Sequence, residues 1–293
     1  MTSLFPQNSL TRSPTSPRTL FNTVMTIMAF VCGLLALAPL LAVLSYVLLK
    51  GFSSLNLEIF TQLPPVPFGS GGGFGNAILG TLLMVGIGAV LSIPMGVLAA
   101  IYLTEFSNGS IARIVRFATN VLSGVPSIIA GVFAYGIVVL TLTRLDLGSY
   151  SAIGGGFALS ILMLPIIVRT TDEALQLVPQ DLRQAALGLG ATNFQTVVQV
   201  VLPAALPAIV TGSTLAIARA SGETAPLIFT ALFSSFWPTN LLEPTASLAV
   251  LVYNFAISPY ANWQSLAWAA SLILVLMVLI TSIVSRLATR QKS

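Results

Sequence analysis

The chain has 293 residues, of which 56% are apolar and only 7% charged, and its mean hydropathy of +0.95 is too high for a body surrounded by water. It reads as an integral membrane protein. With no histidine and a single cysteine, Cys32, it can form neither an internal disulfide nor a histidine-based metal or catalytic centre; the pI near 9.6 comes from basic residues scattered at the ends of apolar runs, which is a topology signal and not a nucleic-acid surface.

Crossing about 30 Å of hydrocarbon takes about 20 helical residues, and six apolar runs meet that requirement: 21–49, 77–103, 117–142, 150–168, 204–232 and 264–285. The expectation is an all-α membrane protein with a transmembrane domain over residues 21–286. Residues 1–20, rich in Ser, Thr and Pro, read as a cytoplasmic N-terminal segment, and 287–293 as a cytoplasmic tail. Ala36-Leu37-Ala38 resembles a signal-peptide cleavage site, but Pro39 follows and apolar sequence continues to Leu49, so an uncleaved first span is expected. With both termini inside, Arg12, Arg18, Arg113, Arg116, Arg169, Arg183, Arg286, Arg290 and Lys292 fall on the cytoplasmic side and only Lys50 and Arg144 outside.

The connector after the first span contains Pro64-Pro65-Val66-Pro67 and a glycine-rich stretch from Gly69 to Gly75. It lacks the Gly-Lys-Ser/Thr ending and the preceding strand of a phosphate-cradling loop, so it reads as a flexible connector. No other part of the chain offers such a loop, and any ATP hydrolysis by that route belongs to another polypeptide. In the third run, Ser123-Gly124-Val125-Pro126-Ser127 interrupts the helix, freeing backbone groups and adding two hydroxyls. A kink, a gate and a second lining element all fit.

Residues 169–203 make the longest inner loop. Pro179 suits the start of a short helix, Gly188 or Gly190 its left-handed cap, and Thr192 or Asn193 the cap of a second helix expected to stop before Pro203. The result is a helical elbow under the membrane. The fifth run alone has charges near its middle, Arg219 and Glu223. An arginine at the bilayer centre costs about 2.5–3.5 kcal/mol on insertion scales, so it is expected to face protein or a watery path. Four residues apart on one helix, the two share a face with Ala208, Gly212, Gly222, Pro226 and Thr230. Two readings follow: a structural ion pair, or a forked donor for a passing oxyanion that Glu223 holds in place. Residues 246–257 are too few to span and read as a short outer helix, and Trp237, Trp263 and Trp268 as belt anchors.

The loop reads Gln184-Ala185-Ala186, three residues, Gly190, nine residues, then Val200-Val201-Leu202-Pro203. This spacing resembles the cytoplasmic EAA loop of ABC importer permeases, with Gln184 where that pattern prefers Glu and Val200 where it prefers Ile. The resemblance implies that Gln184, Ala185, Ala186, Gly190, Leu202 and Pro203 form the element that couples to an ATPase. Leu164-Pro165-Ile166-Ile167-Val168-Arg169-Thr170-Thr171-Asp172-Glu173, the stretch from Ala218 to Leu227, and Gly124-Val125-Pro126-Ser127-Ile128-Ile129-Ala130-Gly131 are similar to the A-type permease subunits of bacterial high-affinity phosphate (Pst) importers.

That family implies a type I ABC importer permease architecture in the bacterial inner membrane. It also implies a second, C-type permease, a homodimeric ATPase holding ATP and magnesium, and an external phosphate-binding protein, with no cofactor on this chain and inorganic phosphate as substrate. Arg219, Glu223, Ser123, Ser127 and Arg169 are the expected substrate-path residues. A permease for sulfate or molybdate, an ATP-independent anion channel or a secondary transporter are the alternatives. No inverted repeat supports a secondary transporter, and no titratable cluster beyond Arg219 and Glu223 in the spans supports a membrane enzyme.

Overall fold

The structure, a computed structural model, describes residues 17–69, 71–107 and 109–288. Arg12, Arg290 and Lys292, with the rest of residues 1–16 and 289–293, lie outside the described residues, whereas residues 17–20 and 287–288 of the expected terminal segments belong to the first and last helices. Among the described residues there are helices and connecting turns only, and six helices are long and apolar enough to cross a membrane. These are α1 (Pro17–Ser53), α2 (Gly75–Phe106), α4 (Ser127–Arg144), α5 (Ala152–Gln176), α7 (Asn193–Ser221) and the last helix, α10 (Ala261–Ala288). Between them run α3 (Ser110–Ser123), α6 (Gln180–Gly188), α8 (Ala225–Thr230) and α9 (Leu248–Ala256).

The chain divides into two compact units, residues 1–49 and 50–293. The first is represented by α1, which is apolar along its length and carries Pro39 inside the helix. In the second, α5 is the central element: it packs most extensively on α2, then on α7, and also touches α3, α4 and α8. Met84 and Val85 of α2, Leu159, Met163 and Ile167 of α5, and Ala216 and Ala220 of α7 form the core between them. Lipid tails are as apolar as leucine, so membrane helices associate mainly through close packing of small residues. A β-carbon on Gly156 would sit 2.5 Å from Ile87, and one on Gly212 would sit 2.3 Å from Thr170 Oγ1.

At the end of the bundle away from α6, a second cluster joins Ile59, Phe74, Leu248, Leu251, Phe255 and Leu266. Here the expected flexible connector is a folded turn: Gly73 N–H donates to Leu63 O and Phe74 N–H to Ile59 O, each at 3.0 Å, and the Phe74 ring is fully buried. The expected short helix over 246–257 is α9, with Leu248 to Leu251 buried in the bundle. Trp263 is a packing residue, stacked on Phe255 at 4.7 Å and donating Nε1–H to Pro65 O at 2.9 Å.

Three expected spans differ in extent: the fourth runs past residue 168 to Gln176, taking in the first part of the expected inner loop. The third is not one helix over 117–142: α3 ends at Ser123, and Pro126, at φ −57° and ψ 136°, carries the chain out of helix before α4 begins. Proline has no N–H to give and pushes the preceding residue away from helical geometry. The fifth starts earlier and stops earlier than 204–232. Thr192 caps it through a capping box with Gln195, and the helix then runs through Pro203 without stopping. A π turn at Val197–Val201, in which Leu202 N–H bonds five residues back to Val197 O, widens the helix just where the Pro203 ring would press on the carbonyl four residues earlier.

Candidate substrate cavity and coupling elbow

Four of the five expected substrate-path residues meet in one place. A cavity of about 230 Å³ is lined by Ser123, Gly124, Val125, Pro126 and Ser127 from the break between α3 and α4, by Leu162, Pro165 and Ile166 of α5, and by Arg219 and Glu223. Pro165 lies near the midpoint of α5, so the cavity sits at mid-depth in the bundle. The last residue of α3 and the first of α4 both line it, so the carbonyl-rich end of one helix and the amide-rich end of the next offset each other there. Ser123 donates its hydroxyl hydrogen to Thr119 O at 2.9 Å, which leaves the oxygen free to accept. The packing of α8 on α4, with Gly131 close against Pro226, positions the Glu223 segment at this wall.

The expectation that Arg219 and Glu223 share a helical face as an ion pair is corrected. Helix α7 ends at Ser221, Gly222 turns the chain, and Glu223 and Thr224 are non-helical before α8 starts at Ala225. Pro226 is the reason, since an α-helix continued through it would drive the ring into the carbonyl of Gly222. Gly222, Pro226 and Thr230 therefore do not extend the Ala208–Gly212 face. Among the described residues the Arg219 guanidinium has no hydrogen-bond or salt-bridge partner and neither does the Glu223 carboxylate. Arg219 is exposed and Glu223 half-buried. The cavity thus presents an unengaged guanidinium fork and an unengaged carboxylate to the same space.

Arg169 lies elsewhere. It lines a larger cavity of about 480 Å³ towards the elbow, with Arg116, Asn120, Asp172, Glu173 and Gln176, and its Nε–H donates to Glu173 at 2.9 Å. Both side chains of that pair are about 60% exposed (62% and 59%), so its contribution to stability is small.

The elbow forms for local reasons. Pro179 precedes α6, Leu189 follows it, and Gly190 takes the left-handed conformation at φ +87° that lets the chain reverse into α7. Gln184 and Ala185 are exposed, and so are Leu189, Gly190 and Pro203, whereas Leu202 is half-buried. Ala186 is buried against the chain itself, so of the two expected coupling alanines Ala185 is the exposed one. Leu189 (90% exposed) and Phe194 (66%) add apolar surface beside Ala185.

Sequence reasoning missed what anchors this end. Asp172 of α5 accepts from Arg116 of α3, at 3.1 Å from Nε and 2.9 Å from Nη2, and from the Thr104 hydroxyl of α2 at 2.6 Å. Arg116 also donates to Leu103 O at 3.1 Å, and its bond to Asp172 raises the guanidinium's proton affinity above its ordinary value. Arg183 of α6 is bonded to the Glu105 carboxylate and, at 2.7 Å, to Leu175 O. Arg116 and Arg183 were legible only as topology signals, because their partners are 56 and 78 residues away.

Comparison with known proteins sets this geometry in a family. Residues 92–292 match the model of the binding-protein-dependent transport system inner membrane component family. The chain is 39% identical over 272 residues to the phosphate transport system permease protein PstA of Yersinia pestis, covering 92% of this chain and 90% of the relative. It is 40% identical to that of Haemophilus influenzae (92% and 94%) and 42% identical over 238 residues to that of Xylella fastidiosa strain Temecula1 (81% of each). Among solved structures, the fold is shared with a bacterial alginate ABC transporter chain (TM-score 0.66, 15% identity, 95% of this chain and 98% of that one) and with the MetNI methionine ABC transporter in an inward-facing conformation (TM-score 0.55, 22% identity, 74% and 94%). With type I importer permeases as its structural neighbours and PstA proteins as relatives over nearly its whole length, the chain belongs to the binding-protein-dependent transport inner membrane components, in the PstA permease family.

Proposed function

We propose that this chain is one of two membrane subunits of an ATP-driven importer of inorganic phosphate, with both termini cytoplasmic and the elbow docked on a separate ATPase. The substrate assignment is carried by one observation, the 39–42% identity to proteins named as phosphate permeases over four-fifths or more of the chain. The two-subunit, two-ATPase arrangement, with a C-type permease and an external binding protein, follows from the same kinship: one elbow engages one motor domain, so a two-site motor requires a second permease. ATP and its magnesium belong to the motor, since this chain has no nucleotide-cradling loop.

The chemistry of the mid-depth cavity suits the task. Arg219 offers a planar fork of donors to phosphate oxygens, the Glu223 carboxylate can accept the O–H that hydrogen phosphate carries, and sulfate has no such hydrogen to offer. Cation and carboxylate together keep the empty site near neutral, so the anion is bound weakly enough to leave, as conduction requires. Motion of the elbow on ATP binding and hydrolysis would reach this cavity through α5 and α7, which pack on each other and both wall it.

The test is uptake of radiolabelled phosphate into vesicles holding the full complex, with sulfate as competitor. ATP-dependent phosphate uptake is expected, and the Glu223→Gln complex is expected to discriminate less against sulfate. Uptake without ATP, or preference for another oxyanion in the wild type, would overturn the assignment. Unchanged discrimination in Glu223→Gln would place selectivity in the external binding protein.

A further inference from the structure

The coupling helix α6 is held to the bundle by very little apolar packing: Ala186 is its one buried residue. What holds it instead is Arg183. This guanidinium bonds both oxygens of Glu105 on α2 through Nη1 and Leu175 O at the end of α5 through Nη2. The Arg183 and Glu105 side chains are only 13% and 8% exposed. Charges this far from water persist only when paired, and a forked guanidinium can satisfy a carboxylate and a carbonyl together where an ammonium cannot.

Glu105 belongs to the π turn Tyr102–Phe106 that ends α2. The two residues before it are gripped as well: Leu103 O accepts from Arg116 of α3, and Thr104 bonds Asp172 of α5. Three consecutive residues of a turn type that is rare and enriched at functional sites are therefore bonded to α3, α5 and α6 in turn. By contrast, the covalent links of α6 are short loops, and the one into α7 bends at Gly190.

We propose that Arg183 is a positioning residue of the transport cycle, the latch through which movement of α6 is passed to the ends of α2 and α5. The proposal rests on the ATP-driven reading given above. Its test is the number of ATP molecules hydrolysed per phosphate imported, measured on the reconstituted complex of this chain with its permease partner, ATPase and binding protein. Arg183→Ala and Glu105→Gln each leave a buried partner unpaired and are expected to raise that ratio by about fivefold or more. The double variant Arg183→Met/Glu105→Leu removes both charges while keeping apolar bulk in the gap, and it is expected to assemble with its ATPase but to be equally uncoupled. A double variant that assembles and imports with the wild-type ratio overturns the latch, and so does one that cannot assemble, since the pair would then serve folding alone. No ATP-dependent uptake by the wild type would instead overturn the functional reading beneath it.

Discussion

The two ends of the charge inventory behave in opposite ways. Where the spans meet the elbow, Arg116, Arg169 and Arg183 each have a carboxylate partner, and two of those partners are largely buried. At mid-depth, Arg219 and Glu223 line one cavity and neither is engaged. A paired, hydrogen-bonded charge fixes geometry, because breaking the pair strands its partner away from water. An unpaired one fixes nothing in the fold and is left for a ligand. On the function proposed here, the contrast divides mechanics at one end from substrate at the other.

The largest expected effect breaks the substrate side. Arg219→Ala is expected to cut phosphate uptake about 10- to 100-fold, as loss of hydrogen bonds worth roughly 1.5–3 kcal/mol to a charged group would do. The complex should assemble as wild type, since the exposed Arg219 side chain bonds nothing in the fold; wild-type uptake would erase the contrast. Next comes Asp172→Ala, which leaves the Arg116 fork and the Thr104 hydroxyl without their acceptor. It is expected to destabilise the solubilised complex by about 1–3 kcal/mol in thermal denaturation, nearer the lower figure because Arg116 is partly solvated. An unchanged midpoint would mean that the elbow-end pairs are not structural. Smallest is Glu173→Gln, which removes the exposed pair with Arg169 and is expected to change stability by less than about 1 kcal/mol. A larger loss would show that exposure misjudges this pair.

How much of this was legible depends on how local each signal is. The six spans follow from runs of about 20 apolar residues, and the Gly190 bend and Thr192 cap from backbone preferences within a few residues. The end of α7 was legible but overridden: Ser221-Gly222 with Pro226 beyond is a helix stop, masked by an apolar run that continues to Leu232. Read as one continuous helix, that run puts Arg219 and Glu223 on one face, and the stop is what separates them. The break at Ser123–Ser127 is legible in the sequence, yet only folding brings it to the wall beside Arg219, since α4 must first pack on α8. The Arg116–Asp172 and Arg183–Glu105 pairs were illegible because any of several inner arginines satisfies the topology rule, and only the packing of α2 on α5 selects which carboxylate each one meets.

The central claim, that the elbow transmits force from a separate ATPase, is tested most directly by crosslinking from its most exposed large apolar side chain, Leu189. With Cys32 replaced by serine, Leu189→Cys in the assembled complex is expected to crosslink to the nucleotide-hydrolysing subunit, with a yield that changes when ATP is bound. A complex that imports phosphate while Leu189→Cys captures no ATPase in any nucleotide state would contradict it.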